Sequence, residues 1–467
     1  MRLSIAIIAL ASAVSASASD YTTYIGDAYA YQVAAVTTDA HGNTYVTGSR
    51  AVIVPAPGGT SASDIFVSKL DTSGNATLIA TLSGKGSDQA SGIAVDASGN
   101  IFIAGSTTST DFPLHHPIQS VAATAPQTGI LVKLSPDGTI LFSTYLGGTK
   151  GASFLASVAV DGNGDVYVTG QTFAPDYPRT PGLPAGFVVS AGFGSISGAF
   201  FAKIHSTGDK ILYAGALSST SHDCGAGSTC FTSEIPTTGN AIAVDPTGSA
   251  YIVGNTAGFG IDSVSTPGAL LPRGLGAFVA KVNSAGTGID YLTFLGTANY
   301  IPGGVSPGSN PGTSVYAIAV DATGDAYIAG STSDPAFPVT ASAFQTKLAL
   351  PSTSPVSPFL APPSDAFVAK INPAGSAMIW ATFLGGTGSD WAQTIATDPA
   401  GNVWVSGITK STDFPVSLNS PNGSEFLAEL SSSGSALVYA ALFPSNAIAA
   451  TLNVDGNGLV HTGGATG

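Results

Sequence analysis

Charge, sulfur and long apolar runs are all scarce in this sequence. Charged residues make up 9% of the 467 positions, and there are two cysteines and two methionines. Beyond Val14, no stretch approaches the roughly 18 uninterrupted apolar residues that a membrane-spanning helix needs. The formal net charge of −14 argues against nucleic acid or an anionic membrane as a partner. We therefore expect no membrane span in the mature chain.

Motifs for catalysis are absent as well. The sequence contains no P-loop, no G-x-S-x-G elbow and no zinc-binding spacing, and its six histidines are dispersed. We therefore assign no catalytic residue and no cofactor. Cys224 and Cys230 lie in one short segment, and in an exported chain they predict a local disulfide. A metal or redox pair and two free thiols are the alternatives.

The first residues have the pattern of an export signal. Arg2 supplies a positive charge, Leu3 to Val14 are almost all apolar, and Ala16-Ser17-Ala18 offers a small-residue cleavage site. A short membrane anchor is the alternative, although a dozen apolar residues are too few to cross a bilayer. We predict a signal peptide over residues 1–18 and one domain over 19–467. The mature protein would be periplasmic, cell-surface or extracellular.

One segment recurs along the whole mature chain. Its clearest copy runs from Ala317 to Thr332, AIAVDATGDAYIAGST, and every copy has Gly three and nine positions after an Asp. Asp at the start of a turn bonds backbone N–H groups, and Gly accepts a positive φ, so each copy predicts a β-hairpin. The seven copies are anchored at Asp39, Asp96, Asp161, Asp245, Asp321, Asp398 and Asp455.

Two further strand-like pieces follow each hairpin. In the fifth copy they are DAFVAKIN from Asp365 and WATFLGG from Trp380, joined by a Pro-Ala-Gly turn. Such short runs, apolar on both faces, are typical of sheets buried on both sides. Four-stranded units repeated around an axis form a β-propeller. The sequence thus predicts an all-β, seven-bladed propeller; a parallel β-helix is the alternative, although its coils lack hairpin turns.

The repeat resembles the bacterial seven-bladed propeller repeat family known as SBBP. The resemblance rests on AIAVDATGDAYIAGST, on DAFVAKIN, on the TFLGG ending and on a Thr-x-Ser-x-Asp-Phe-Pro segment at 107–113 and 409–415. It covers essentially the whole mature chain. It implies a propeller on exported or surface proteins, and it implies no catalytic residues.

The last repeat is incomplete, because the chain stops at Gly467 before a third and a fourth strand. Tyr21 to Gly26 resembles a lone fourth strand. We therefore expect this N-terminal strand to pair beside Leu459 to Gly464 and to close the ring, which leaves a three-stranded last blade. Closure would remove an open sheet edge.

Binding is expected on the face that carries the long links between the second and third strands and between successive units. Aromatic side chains scattered there suit a protein or a neutral glycan as partner, although each ring could instead pack its loop onto the sheets. The candidates are Phe187, Phe193, Phe259, Tyr300, Phe359 and Trp391. The predicted function is a non-catalytic binding or surface-interaction scaffold. The alternative is a lyase or glycan-active enzyme with a site assembled from several blades.

Two sets of charged repeat positions allow either a structural or a binding role. Lysines recur on the third strand and could form a positive ring, but we expect their stems to cover the sheet and their ammonium groups to meet nearby acids. The segment Asp161-Gly-Asn163-Gly-Asp165 resembles a short calcium loop that lacks its final Glu, so these three residues are weak metal candidates. The lysines are Lys69, Lys133, Lys203, Lys281 and Lys370, with Glu429 in the sixth repeat.

Overall fold

A computed structural model gives the fold of the chain. It describes residues 5–10, 21–25, 30–52, 62–184, 197–223, 231–256, 266–272, 274, 276–296, 312–349, 363–417, 423–445 and 451–465. All of its regular structure is β-strand. The described residues contain no helix with the length and apolarity to cross a membrane.

Most strands belong to six sheets, each made from four strands that follow one another in the chain. In chain order the strands are β1 Ile5–Leu10, β2 Tyr21–Ile25, β3 Tyr31–Thr38, β4 Thr44–Val52, β5 Ala62–Leu70, β6 Ala76–Leu82, β7 Asp88–Val95, β8 Ile101–Thr107, β9 Thr128–Leu134, β10 Ile140–Leu146, β11 Ser153–Val160, β12 Val166–Thr172, β13 Gly198–Ile204, β14 Ile211–Leu217, β15 Ser219–Asp223, β16 Phe231–Ile235, β17 Thr237–Val244, β18 Ala250–Thr256, β19 Gly276–Val282, β20 Ile289–Phe294, β21 Thr313–Val320, β22 Ala326–Thr332, β23 Asp365–Ile371, β24 Met378–Leu384, β25 Asp390–Thr397, β26 Val403–Thr409, β27 Glu425–Leu430, β28 Leu437–Phe443, β29 Thr451–Val454 and β30 Val460–Ala465.

The six sheets are blades of a propeller, which confirms the predicted all-β propeller of four-stranded blades. Among the described residues, six blades consist of four consecutive strands, whereas the sequence predicts seven blades. Blade I is β3–β6, blade II β7–β10, blade III β11–β14, blade IV β17–β20, blade V β21–β24 and blade VI β25–β28, each antiparallel and in chain order. The first strand of each blade contacts the first strand of the next. First strands therefore line the inside of the ring, and fourth strands lie outside. β15 and β16 pair only with each other, in the link between blades III and IV.

Two turns of each blade lie on one face, and the longer links lie on the other. Neighbouring strands are antiparallel, so the links from first to second and from third to fourth strand emerge at the same end. We call this end the short-turn face. The links from second to third strand and from blade to blade emerge at the opposite end, the long-link face, as the sequence predicted.

The repeated turn forms as its chemistry predicts. Asp161 Oδ1 accepts the N–H groups of Asn163 at 2.9 Å and Asp165 at 3.0 Å, and Gly164 has a φ of 78°. The same geometry recurs at the other anchors, where the third residue after each Asp is a glycine with φ between 78° and 85°. The carboxylates of these aspartates thus accept hydrogen bonds from backbone N–H groups of their own turns.

The glycine nine positions after each Asp is required for a different reason. In blade III the pairing of β11 with β12 shifts between Leu155 and Ser157, opposite Gly170. A Cβ on Gly170 would lie 1.9 Å from the carbonyl oxygen of Phe154. The first strand therefore bulges against the second one, and only glycine leaves room for this approach.

The core lies between the blades. One buried cluster joins blades II and III through side chains such as Phe142, Leu155 and Phe200. Another joins blades V and VI through Trp380, Ile395 and Phe426. Packing of sheets face to face around a ring explains why strands of the repeat are apolar on both faces.

The two chain ends meet in a further sheet, which we call the closing sheet. Its order is β2-β1-β30-β29, and β29 contacts the first strands of blades VI and I. The expected pairing of Tyr21–Ile25 directly with the last strand is therefore wrong, and so is the expected three-stranded sheet. Ile5–Leu10, which the sequence assigns to the signal peptide, lies between β2 and β30. β1 thus pairs with the edge of β30 that faces away from β29, so the backbone groups on that edge are hydrogen-bonded.

Candidate functional site

The repeated lysines are held inside the sheets. Lys203 on β13 pairs across the ladder with Tyr167 on β12, and its ammonium group lies 4.8 Å from the centre of the tyrosine ring. The same nitrogen is 3.2 Å from Asp161 Oδ2. Equivalent contacts hold Lys133, Lys281 and Lys370. A cation over an aromatic face and beside a buried carboxylate is satisfied, so these lysines have a structural role.

The same contacts engage the weak metal candidates. Asp161 Oδ2 lies 2.9 Å from Tyr167 Oη and 3.2 Å from Lys203 Nζ, and Asp165 Oδ2 lies 3.2 Å from the same ammonium group. Asn163 contributes its backbone N–H to Asp161. The described residues contain no cluster of three or more acidic, His or Cys side chains in metal-binding range. The ammonium group of Lys203 lies between the carboxylates of Asp161 and Asp165.

Blade VI departs from this pattern. Glu429 takes the lysine position opposite Trp404, is 4% exposed, and accepts a hydrogen bond from Asn402, which also donates to Asp398. Burial raises the pKa of Glu429, and the nearby charge of Asp398 raises it further. Two carboxylates thus share one amide where blades II to V have a salt bridge between Lys and Asp.

Glu429→Lys is therefore expected to stabilise the protein by about 1 to 3 kcal/mol at pH 7, because it replaces a like-charged pair with an ammonium group over Trp404. Glu429→Gln, which removes only the charge, should give a smaller gain. Urea unfolding of the three proteins measures the effect. A loss of stability in Glu429→Lys would show that the indole does not accept the cation.

Aspartates of the Asp-Phe-Pro segments fasten the long-link face. Asp413 accepts the N–H of Thr387 at 2.8 Å, and Asp111 accepts that of Lys85 at 2.9 Å. Each bond ties the segment after a second strand to the link that enters the same blade. The phenylalanines that follow are buried, at 3% for Phe112 and 4% for Phe414. The Asp-Phe-Pro segment therefore holds two links of the long-link face together through the hydrogen bond of its Asp and the burial of its Phe.

Most of the predicted ligand residues lie outside the described residues. These are Phe187, Phe193, Phe259, Tyr300 and Phe359, and the same holds for the predicted disulfide of Cys224 and Cys230. Trp391 is described. It is half-buried on β25, the first strand of blade VI, and Lys410 Nζ lies 5.1 Å above its ring. Its position is the second residue of an innermost strand, next to the long-link face.

The residues equivalent to Trp391 form a ring that we call the mouth. In each blade the second residue of the first strand is exposed or half-buried, although its two neighbours are buried. The residue just after the second strand lies beside it, as backbone bonds from Phe173 N–H to the Ala152 carbonyl and from Lys410 N–H to the Ser389 carbonyl show. The second-residue positions are Gln32, Gln89, Phe154, Thr238, Ser314 and Trp391.

Side chains at the mouth differ from blade to blade while the backbone repeats. Blade III has two half-buried rings, Phe154 and Phe173, with centroids 6.4 Å apart. Blade VI has the Trp391 and Lys410 pair. Phe154, Phe173 and Lys410 are not among the ligand residues that the sequence predicts. One sequence signal could have identified them. The residue type at these positions differs from repeat to repeat, although the positions lie at a fixed number of residues from the anchor Asp and the turns themselves hardly vary.

A buried pair of acids lies beneath this part of the mouth. Asp390 and Asp365 are 0% and 2% exposed, and a Cβ on Gly385 would be within 3 Å of both carboxyl groups. Asp390 accepts the Gly386 N–H at 2.8 Å, and Asp365 accepts the Ala349 N–H at 2.9 Å. Burial raises the pKa of Asp365 to about 7, and the charge of Asp390 adds to the effect. Burial also raises the pKa of Asp390.

The fold defines this protein as a β-propeller of four-stranded blades. The family model of the SBBP beta-propeller repeat matches residues 77–113, 141–175 and 379–415, so the chain carries SBBP repeats. Each match runs from the fourth strand of one blade through the first hairpin of the next. The repeating sequence unit therefore spans the boundary between two blades.

Solved structures that align with this chain include the following proteins. A protein of unknown function from Dyadobacter fermentans aligns with TM-score 0.41 and 12% identity, over 82% of this chain and 92% of the other. A polysaccharide lyase of family PL25, an ulvan lyase, aligns with TM-score 0.37 and 10% identity, over 84% and 75%. The quinohemoprotein alcohol dehydrogenase from Comamonas testosteroni aligns with TM-score 0.39 and 11% identity, over 92% and 72%. No curated protein sequence matches this chain.

Proposed function

We propose that the protein is an exported, seven-bladed propeller that acts as a non-catalytic binding scaffold, with the closing sheet as its seventh blade. The ligand side is the long-link face, and the partner is a neutral glycan or a protein surface. One observation carries the proposal: the repeats keep their turns and core but vary at the mouth. Variable side chains on a rigid, repeated backbone are the usual arrangement of a binding site.

The chemistry of the mouth favours an uncharged partner. Phe154, Phe173 and Trp391 are half-buried rings, and Gln32 and Gln89 are exposed amides. Aromatic faces offer large apolar contact area at low entropic cost, and amides donate and accept hydrogen bonds. Both groups suit sugar rings, which carry C–H faces and hydroxyl groups.

Trp391→Ala is expected to weaken binding of the partner at least about tenfold, because central aromatic residues contribute most of the affinity at such sites. An array of neutral oligosaccharides and pull-downs from culture medium would identify the partner, and titration of it would give the affinities. Ile379→Ala is the matched control, since Ile379 is 46% exposed on an outermost strand. A blank array and blank pull-downs, or equal affinities for Trp391→Ala and the native protein, would contradict the proposal.

A glycan-active enzyme is the second candidate, and the buried acid pair favours it. A carboxyl group with a pKa of about 7, such as that of Asp365, has the value that suits a general acid or base at neutral pH. Incubation of neutral and acidic polysaccharides with the protein, followed by size analysis, separates the two functions. Shortened chains that form with the native protein and do not form with Asp365→Asn would establish the enzyme.

A further inference from the structure

The closing sheet takes its third strand from the segment that the sequence predicts to be removed on export. β1 pairs with β30 from Ile5 opposite Ala465 to Leu10 opposite Val460. On its other edge it pairs with β2, antiparallel in both cases. The third strand of the closing sheet is thus the segment that the sequence predicts as the apolar part of an export signal.

The outer strand of the closing sheet has anchors that do not involve β1. Thr23 on β2 donates its hydroxyl to the carbonyl of Gly74 at 2.7 Å, in a turn of blade I. Ile25 is 8% exposed and packs in the cluster that contains Tyr31, Val33 and Phe66. These contacts attach β2 to blade I.

The inner strands of the sheet are anchored independently as well. His461 Nδ1 on β30 lies 2.9 Å from Thr44 Oγ1 in blade I. Val460 is fully buried in a cluster with Trp404 and Leu427 of blade VI. Thr451 on β29 accepts the Val36 N–H at 2.9 Å. Both sides of the β1 position are therefore held by neighbouring blades.

Removal of residues 1–18 would leave a slot in this sheet. Adjacent strands lie about 4.8 Å apart, so β30 and β2 would face each other across about 10 Å with unpaired backbone N–H and C=O groups. We propose that the exported protein uses this slot to bind an extended, apolar strand of about six residues from another polypeptide. The strand would run antiparallel to both β30 and β2, as β1 does.

The two strands that border the slot, β30 and β2, determine which peptide can bind in it. An incoming strand gains main-chain hydrogen bonds on two edges, whereas a strand added at an open sheet edge gains them on one. Its neighbours on β30 include His461 and Thr462, which are 2% and 0% exposed. Charged side chains would be costly to bury there, so an Ile- and Ala-rich strand such as β1 is the chemistry that fits.

The state of the empty slot is tested with the exported full chain. Mass spectrometry of the N-terminus should show that residues 5–10 are gone. Thr22 and Thr462 both pair with Ile8, so they stand on opposite sides of β1. A Thr22→Cys, Thr462→Cys variant should form no disulfide, because its Cα atoms would be farther apart than the roughly 7 Å that a disulfide tolerates. Retention of residues 5–10, or a 22–462 disulfide in peptide mapping, overturns the proposal.

Binding is tested on the unmodified exported protein with a peptide that carries the sequence Ile5–Leu10 between lysine pairs. At 100 times its dissociation constant the peptide should raise the melting temperature by about 3 °C or more. The matched control has proline in place of Ile7 and should bind at least tenfold more weakly, because proline cannot complete the ladder. Equal binding of the two peptides, or no shift with either, overturns the proposal. The result is independent of any ligand at the mouth.

Discussion

Gly170→Ala is expected to lower the free energy of unfolding by about 3 to 5 kcal/mol. The added Cβ would lie 1.9 Å from the Phe154 carbonyl oxygen and 2.9 Å from Leu155 Cα. Both atoms belong to the backbone, so no side-chain movement can relieve the contact. The bulged pairing of β11 with β12 would have to open, and urea unfolding with near-ultraviolet circular dichroism would measure the loss.

Two other glycines of the same blade are the matched controls. A Cβ on Gly162 meets nothing within 4 Å, so Gly162→Ala should change stability by less than about 0.5 kcal/mol. Gly164 has a φ of 78°, and Gly164→Ala should cost about 1 kcal/mol for the left-handed conformation. Equal losses in all three variants would show that glycine content, rather than the bulge, determines the stability of the blade.

Asp365→Asn is expected to remove a pH dependence of stability between about pH 4 and pH 8. Burial raises the pKa of Asp365 from 3.8 to about 7 in the folded protein. The folded state therefore binds the proton of Asp365 more tightly than the unfolded state does. The stability that this proton contributes is complete below pH 3.8 and is lost as the pH rises through 7. Relative to the native protein, Asp365→Asn should be nearly neutral at pH 4 and more stable at pH 8, by up to about 4 kcal/mol.

Urea unfolding of both proteins at several pH values gives this difference directly, and contributions from titrating groups that do not interact with Asp365, such as His461, cancel in it. Asp413→Asn is the control from the same face. The hydrogen bond from the Thr387 N–H lowers the pKa of Asp413, so its contribution is lost only as the pH falls below about 4. A difference between Asp365→Asn and the native protein that stays constant from pH 4 to 8 would mean that Asp365 is ionised throughout.

Much of this fold could be predicted because its determinants are local. The Asp and Gly of each turn act within five residues of one another, and an apolar run on both faces records burial between sheets. The sequence therefore predicts the hairpins, the four-stranded blades and the division of links between two faces. It also predicts the structural role of Lys203. The repeat also shows where a deviation lies, as it does for Glu429, because a lysine occupies this position in five other copies.

The sequence by itself determined the blade: its turns, its strand order and the direction in which its links emerge, since all of these follow from contacts within one repeat. Only the tertiary structure decided how the ends meet, which side chains form the mouth, and which acids share a buried space. Ile5–Leu10 fills the closing sheet, and Asp365 lies beside Asp390, through contacts between distant segments. Such contacts depend on the closure of the ring, which local patterns do not record.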